Sequence, residues 1–326
     1  MDKEDAALPQ PKTLVYGDHP SQFIDVYRPE GAGPHPVVVL IHGGFWRLPW
    51  GRDLMRALAA DLVARGFAAV NVEYRRLGEA GGGWPGTCED VASALRALVG
   101  AGGGVTMAGP GELVGAGGGV AATAPGELVV AGGDVAATGS GKLVEAGGDV
   151  SATGPGEPVK AGSDVAGSGE LDLSRLGLVG HSAGGHLALW AGKHAPLPVR
   201  LVVSQAGVAD LRSAARDRLD GDVAGRLPAA VEFMGGEPAD LLAAYHLASP
   251  IELLPLGPSV HQLVVHGDAD DRVPFQQSAD YVEAAQAAGD SVELAAFTGM
   301  GHFELIDPAH ESWIRTAAEL ARRLGA

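Results

Sequence analysis

Short runs of β-branched and other apolar residues alternate along the chain with stretches of helical periodicity. Two runs, Val37–Ile41 and Leu263–Val265, are continuously apolar, which is typical of parallel strands covered on both faces. The pattern predicts strands at Thr13–Tyr16, Gln22–Tyr27, Val37–Ile41, Ala68–Glu73, Leu176–Val179, Arg200–Val203, Gln262–Val265 and Val292–Phe297. It predicts helices at Arg52–Arg65, Glu89–Val99, Ala183–Lys193, Phe275–Ala288 and Pro308–Leu324. This alternation indicates an α/β protein with a mostly parallel, eight-stranded doubly wound sheet.

A tandem repeat of 15 residues interrupts this pattern at residues 101–170. Five alanines recur at that period, each followed by Gly and then by Gly or Ser: Ala101, Ala116, Ala131, Ala146 and Ala161. The segment holds 21 of the chain's 50 glycines and no Phe, Trp or Tyr, so it is too poor in large side chains to build a core. We expect a flexible or marginally stable insertion. An array of weak β-hairpins is the alternative.

The domain organisation follows from removing the repeat. The 256 residues that remain of 326 suit one large α/β domain. We therefore predict a single domain over residues 1–326 that carries the insertion at 101–170. A helix-rich stretch follows Arg200–Val203, and residues 208–247 are a candidate for a small lid.

Charge and cysteine content exclude several classes of function. The chain has 23 basic and 40 acidic residues, a net charge of −17, and no basic stripe for nucleic acid or an anionic membrane. The one cysteine, Cys88, excludes an intramolecular disulfide and a thiolate zinc cage. The acidic N-terminus does not resemble a secretory signal, and no apolar run is long enough to span a membrane. We expect a soluble, cytoplasmic protein of undetermined oligomeric state.

A candidate nucleophile lies between a predicted strand and a predicted helix. Gly180-His181-Ser182-Ala183-Gly184 follows Leu176–Val179 and opens a helical run. Glycines two places before and after Ser182 permit the sharp turn that raises a serine hydroxyl above a sheet. A glycine-rich turn with an ordinary serine cap is the structural alternative.

A serine nucleophile needs a base that is held by an acid. His302 follows the last predicted strand in a loop, whereas His181, His186, His194 and His266 are poorer candidates, beside the turn, on its helix or at a strand end. Three carboxylates, Asp268, Asp270 and Asp271, follow the strand Gln262–Val265. Not all three can face His302, because some must serve as turn formers or solvated charges; we favour Asp270.

The negative oxygen of a tetrahedral intermediate needs hydrogen-bond donors. His42-Gly43-Gly44-Phe45-Trp46 directly follows the apolar strand Val37–Ile41. The two glycines let backbone N–H groups approach that oxygen, and the Ala183 N–H adds a donor from the other side. A tight turn without this role is the alternative.

These motifs together resemble α/β-hydrolases of the esterase and lipase type, whose triads also run in the order Ser, Asp, His. His42–Trp46 resembles the HGG-x-W variant of BD-FAE-like (feruloyl/acetyl esterase-like) domains and kynurenine formamidase-like enzymes. The resemblance covers roughly residues 22–324 without the repeat, and it implies the α/β-hydrolase fold. It implies a nucleophile, base and acid at Ser182, His302 and Asp270, the last through the spacing Gly267-x-x-Asp270-x-x-Val273-Pro274.

The resemblance also bears on the oxyanion donors and on activity. It assigns the donors to Gly43, Gly44 and Ala183, with Phe45 as a substitute if the turn is shifted. Phe45 stands where the lipase-type motif has a third glycine. We predict a serine esterase for small acyl or aryl groups that needs no metal and no cofactor. Hydrolysis of N-formyl aryl amides is the alternative. A peptidase ranks third because nothing resembles the extra domain that such peptidases carry, and a non-catalytic binding protein is the alternative from another class.

Four aromatic residues flank the motifs and are candidates for the walls of a substrate pocket: Phe45, Trp46, Trp84 and Phe303. Aromatic walls would suit a small acyl or aryl group. Each of these residues could equally belong to the core.

Overall fold

The computed structural model describes residues 9–102, 120–123, 127–130, 171–220 and 226–325. Strands in these ranges are β1 Lys12–Val15, β2 Phe23–Tyr27, β3 His35–Ile41, β4 Ala68–Val72, β5 Val120–Thr123, β6 Glu127–Val130, β7 Leu171–His181, β8 Val199–Gln205, β9 His261–Gly267 and β10 Ser291–Phe297. The α-helices are α1 Arg56–Ala64, α2 Gly86–Gly102, α3 Ala183–His194, α4 Leu211–Arg216, α5 Ala229–Met234, α6 Leu242–Ala248, α7 Gln276–Ala287 and α8 Glu311–Leu324. Short 3₁₀ helices occupy Arg52–Met55, Pro250–Leu253 and Glu304–Ile306.

Eight strands form one sheet in the order β1-β2-β4-β3-β7-β8-β9-β10. The six strands from β4 to β10 in that order run parallel, whereas β2 is antiparallel to both of its neighbours. The central strands of the sheet are buried on both faces. Along β3, Val37, Val39 and Ile41 join the cluster that includes α2, α3 and α7, and Val38 and Leu40 join the cluster that includes α1 and α8. The continuous apolar run of β3 is thus explained by burial on both sides.

The α/β fold class and all eight sequence-predicted strands of the sheet are confirmed. The largest difference is β7, which begins at Leu171 and pairs with the start of β3 before a register shift between Pro36 and Val37. The last helix begins at Glu311, three residues later than predicted, and the preceding His310 side chain accepts a hydrogen bond from Ser312 N. No helix in the described ranges is both long enough and apolar enough to cross a membrane.

The chain divides into two units, one formed by Met1–Gly104 and Ala166–Ala326 and the other by Val105–Val165. The second unit contains the antiparallel hairpin β5–β6, in which Val120 pairs with Val130 and Thr123 with Glu127. The rest of the repeat beyond Gly102 lies outside the described residues. The prediction of a flexible insertion concerns this part of the chain. The candidate lid contains α4, α5 and most of α6.

The topology brings the sequence motifs to one edge of the sheet. Strands β3, β7, β9 and β10 are parallel, so the segments that follow Ile41, His181, Gly267 and Phe297 all leave the sheet at its carboxyl edge. Ligand-binding and catalytic residues of open α/β sheets typically lie at this edge.

Candidate active site

The turn between β7 and α3 holds Ser182 in a strained conformation. Its φ of 57° and ψ of −121° lie in a region that residues other than glycine rarely adopt. The backbone is held there because Ser182 N donates to Gln205 O at 2.8 Å. The Ser182 side chain makes no hydrogen bond to the start of α3, so it does not act as an ordinary helix cap.

Two glycines are required by close backbone packing around this turn. A Cβ on Gly180 would lie 1.9 Å from Gly184 O, and a Cβ on Gly184 would lie 2.0 Å from Ile41 O. Neither carbonyl belongs to a flexible side chain that could move aside. The glycine spacing recognised in the sequence therefore reflects the packing of α3 against the ends of β7 and β3.

The loop after β10 brings His302 to the carboxylate of Asp270. His302 Nδ1 lies 2.6 Å from Asp270 Oδ2, and the Asp270 side chain is completely buried. Asp270 Oδ1 accepts hydrogen bonds from Arg272 N at 2.8 Å and Val273 N at 2.9 Å. Of the three candidate carboxylates, Asp270 is the one that the fold turns toward His302.

The other two carboxylates have different surroundings. Asp268 Oδ1 accepts a hydrogen bond from Gly299 N at 2.6 Å and ties the end of β9 to the turn after β10. The side chain of Asp271 is 78% exposed, and its nearest ion-pair partner is Arg272 at 3.4 Å. Asp268 is thus a turn former and Asp271 a solvated charge.

The pKa of Asp270 lies well below its usual range. Burial alone would raise this pKa, but hydrogen bonds from His266 and His302 and the charge of His302 outweigh that effect. Asp270 is therefore a carboxylate and accepts the hydrogen of His302 Nδ1. When the His302 ring is neutral, its second nitrogen, Nε2, carries a lone pair and is the atom that can take a proton.

His181 holds His302 against the nucleophile turn. Its Nε2 lies 3.0 Å from His302 O and donates to it, and the two imidazole rings are 4.5 Å apart. Burial lowers the pKa of His181 to about 3, and the neighbouring His302 contributes. A ring with so low a pKa is a poor proton acceptor.

The Gly43–Gly44 segment lies directly against Ser182. A Cβ on Gly43 would be 2.9 Å from Ser182 Cβ and 2.8 Å from His181 O. Gly44, Phe45 and Trp46 all have positive φ, at 110°, 52° and 57°. Ala183 is the first residue of α3, where backbone N–H groups lack acceptors within the helix. The Gly43 backbone and the Ala183 N–H thus lie on either side of Ser182.

A buried polar cluster behind this loop was missed in the sequence. The His42 ring stacks on Tyr74 with centroids 4.2 Å apart. His42 Nε2 lies 3.0 Å from Glu73 Oε1, His42 Nδ1 lies 2.7 Å from Gly43 O, and Tyr74 donates to His42 O at 2.7 Å. Glu73 and Tyr74 follow β4 directly, and β4 is the parallel neighbour of β3. The position of two polar residues at the end of a buried strand was the available signal.

The four aromatic candidates have different degrees of exposure. Phe303 is 51% exposed, and its ring is 5.3 Å from that of His302. Phe45 and Trp84 are partly buried. Trp46 is 1% exposed, stacks on Phe233 at 4.5 Å, and donates from Nε1 to His186 Nδ1 at 3.3 Å. Trp46 thus lies within the core.

Two family models match the sequence. The model described as the prolyl oligopeptidase family matches residues 159–322, which is half of the chain, and the BD-FAE model matches residues 24–102. No curated protein gives a significant match.

Similar solved structures include several esterases. A truncated carbohydrate esterase from gut microbiota has a TM-score of 0.66 and 18% identity, covering 98% of this chain and 99% of its own. Esterase Est2 of Thermogutta terrifontis has a TM-score of 0.61 and 17% identity, covering 98% of this chain and 94% of its own. A bifunctional GH43-CE protein of Bacteroides eggerthii has a TM-score of 0.64 and 21% identity, covering 95% of this chain, which spans only 35% of that protein.

At these identities the structural likeness shows the fold, which is that of an α/β-hydrolase, and the family models match the sequence that carries the motifs. The predicted resemblance to BD-FAE-like hydrolases is confirmed. The chain is an α/β-hydrolase that belongs to the prolyl oligopeptidase family.

Proposed function

We propose that this protein is a serine hydrolase that cleaves carboxylic esters of small acyl or aryl groups through an acyl-enzyme. The observation that carries the proposal is the 2.6 Å hydrogen bond between His302 and the buried carboxylate of Asp270. It occurs at the sheet edge where Ser182 occupies its strained turn. An imidazole held by a carboxylate is the kind of base that activates a serine hydroxyl.

In the proposed reaction, Ser182 Oγ attacks the ester carbonyl carbon while His302 Nε2 accepts the hydroxyl proton. Asp270 remains ionised and stabilises the imidazolium that forms. The carbon–oxygen bond to the alcohol then breaks, and His302 returns the proton to the departing alkoxide. Water attacks the acyl-enzyme by the same route and releases the carboxylic acid and free Ser182.

The charge that develops on the carbonyl oxygen would be stabilised by backbone N–H groups. We assign the donors to Gly43, Gly44 and Ala183, because the Gly43 backbone packs against Ser182 and Ala183 begins the helix. The His42–Glu73 contact would keep the glycine segment in place. Each such donor contributes about 10²–10³-fold to the rate in comparable hydrolases.

The substrate class is supported by the esterases among the similar structures and by the aromatic residues near the triad. Phe303, exposed beside His302, would contact the acyl or leaving group, and Phe45 and Trp84 would form further walls. Trp46 would shape the site from behind, through its contacts with Phe233 and His186. Aromatic walls suit small uncharged esters.

A fluorophosphonate probe tests the proposal because it labels only an activated serine. We expect the purified protein to be labelled and to hydrolyse p-nitrophenyl acetate, whereas Ser182→Ala should do neither. Ser204→Ala is the matched control, because Ser204 is also buried near α3 but does not follow β7. Failure of the wild-type protein to label or to cleave any of a panel of acetyl, feruloyl and longer esters would refute it. Faster turnover of N-formylkynurenine than of every ester would show an amidase instead.

A further inference from the structure

A second histidine contacts the carboxylate that holds His302. His266 lies on β9 and is completely buried. Its Nε2 is 3.2 Å from Asp270 Oδ2 and 3.0 Å from Val273 O, and its Nδ1 is 2.7 Å from Ser278 Oγ. The mechanism above does not use this residue.

The contacts of His266 determine which of its nitrogens carries hydrogen. A backbone carbonyl and a carboxylate can only accept hydrogen bonds, so Nε2 must be the donor and shares its hydrogen between Val273 O and Asp270 Oδ2. In the neutral ring Nδ1 is then an acceptor, and the Ser278 hydroxyl donates to it. Ser278 on α7 therefore helps to select the form of His266 that faces Asp270.

One oxygen of Asp270 is shared by two imidazoles. Oδ2 accepts from His302 at 2.6 Å and faces His266 at 3.2 Å, while Oδ1 accepts the N–H groups of Arg272 and Val273. With both oxygens engaged on two sides, the carboxylate cannot rotate without breaking a hydrogen bond to a buried group. Loss of such a bond is costly because the partner is left unsatisfied.

We propose that His266 is a positioning residue of the triad, whose Nε2–H holds the Asp270 carboxylate in the orientation in which Oδ2 meets His302. His266 does not touch the substrate and transfers no proton; it acts through Asp270. This inference rests on the proposed function, in which Asp270 orients His302.

The alternative is that His266 only links β9 to α7, through Ser278 and Val273. Two amide substitutions separate the alternatives, because the Gln side-chain nitrogen can reach the place of imidazole Nε2, whereas the shorter Asn can reach only the place of Nδ1. His266→Gln retains a donor toward Asp270. His266→Asn retains a polar group near Ser278 and loses that donor.

We expect His266→Asn to lower kcat for p-nitrophenyl acetate about 10- to 100-fold, as expected for loss of a hydrogen bond to a charged group, with little change in KM. His266→Gln should recover most of this loss. Ser278→Ala is the control for the link to α7 and should lower kcat about fivefold or less, as expected for a neutral hydrogen bond. Equal damage by Asn and Gln, or wild-type activity of His266→Asn, would overturn the proposal.

A double-mutant cycle with Asp270→Asn gives a readout that a purely structural role would not change. A residue that acts through Asp270 has no further effect once that carboxylate is absent. We expect His266→Asn to slow fluorophosphonate labelling in the wild-type background and not in the Asp270→Asn background. The same slowing in both backgrounds would overturn the proposal.

The proton on His302 Nδ1 provides a measurement that is independent of ester hydrolysis. Its NMR resonance should shift or broaden in His266→Asn and stay at the wild-type position in His266→Gln. This result decides the role of His266 even if the wild-type protein cleaves no ester, which would refute the proposed function alone. If His266→Asn does not fold, His266→Gln provides the test. Loss of its ester hydrolysis and of its His302 Nδ1 proton resonance would contradict the proposal.

Discussion

The sharpest prediction concerns Asp270→Asn, which replaces one carboxylate oxygen by an N–H donor. The oxygen of the new amide should stay at the place of Oδ1, because Arg272 N and Val273 N donate to it there. The NH₂ group would then occupy the place of Oδ2, 2.6 Å from His302 Nδ1. A donor at that distance forces His302 to keep Nδ1 unprotonated and to place its hydrogen on Nε2.

The expected loss is large because Nε2 is the atom that must accept the proton of Ser182. An imidazole in the wrong tautomer cannot act as the base, and the change leaves the oxyanion donors intact. We expect kcat to fall about 10⁴-fold, as for the equivalent change in other serine triads. KM should change little, because Asp270 is buried and makes no contact with substrate.

The assay is the initial rate of p-nitrophenyl acetate hydrolysis at pH 7 to 8, with circular dichroism to show that each variant is folded. Asp268→Asn and Asp271→Asn are the matched controls. Asp268→Asn keeps an oxygen that can accept from Gly299 N, and Asp271 is exposed, so each should retain activity within about threefold, as surface changes usually do. If either control were more damaging than Asp270→Asn, or if Asp270→Asn kept more than a few per cent of kcat, the reasoning would be wrong.

Three further predictions concern the oxyanion segment, an ion cluster and the repeat. Gly43→Ala should lower kcat about 10²–10³-fold in steady-state assays, because its Cβ would lie 2.9 Å from Ser182 Cβ and displace a donor. Burial opposes ionisation of Glu319, but hydrogen bonds from Arg322 and Arg323 outweigh it and lower its pKa to about 2. The pKa of Glu is about 4.3 in the unfolded chain, so the ionised Glu319 side chain stabilises the fold at pH 7. Glu319→Gln should therefore lower Tm at pH 7, and the Tm difference from wild type should vanish as pH falls toward 2. A Tm difference that does not change with pH would contradict this. Replacing Gly102–Gly169 by about eight residues relieves roughly 2 kcal/mol of loop-closure entropy. Tm should therefore stay the same or rise, and kcat should stay within about threefold of the wild-type value. Loss of ester hydrolysis would show that the repeat supports the site.

The expectation for the repeat also depends on where the chain re-enters the sheet. Leu171 begins β7 and Ser182 follows its end, so the two residues are 11 positions apart along a strand, about 36 Å. The repeat connects to the amino end of this strand, whereas the proposed triad lies at the carboxyl end. We therefore expect truncation near Leu171 to leave the contacts of Ser182, Asp270 and His302 unchanged.

Most of the sheet could be predicted from the sequence because its strands are locally encoded. A strand buried on both faces reads as a continuous apolar run, and Val37–Ile41 and Leu263–Val265 do so. Strand limits were less accurate, since β7 extends to Leu171 by pairing with His35 and Pro36 of β3. That pairing joins residues more than 130 positions apart, so no local pattern reports it.

The candidate site was predictable where the backbone itself imposes the residue type. Gly180 and Gly184 have no room for a side chain, and this constraint appears in the sequence as a fixed spacing around Ser182. The buried contacts of His42 with Glu73 and Tyr74 were not predictable in this way, because they join the ends of two different strands.

The sequence by itself determined the alternation of strands and helices, the turn around Ser182, and the order in which Ser182, Asp270 and His302 follow their strands. These features depend on the local periodicity of apolar residues and on the positions of glycines, both of which can be read from residues close together in the sequence. Only the tertiary structure decided which of three adjacent aspartates is buried against His302, that His266 shares the same carboxylate oxygen, and that Trp46 lies in the core. The physical reason is that burial and hydrogen-bond partners depend on segments brought together by the crossovers of the sheet, and Asp268, Asp270 and Asp271 differ in those partners far more than in their local sequence.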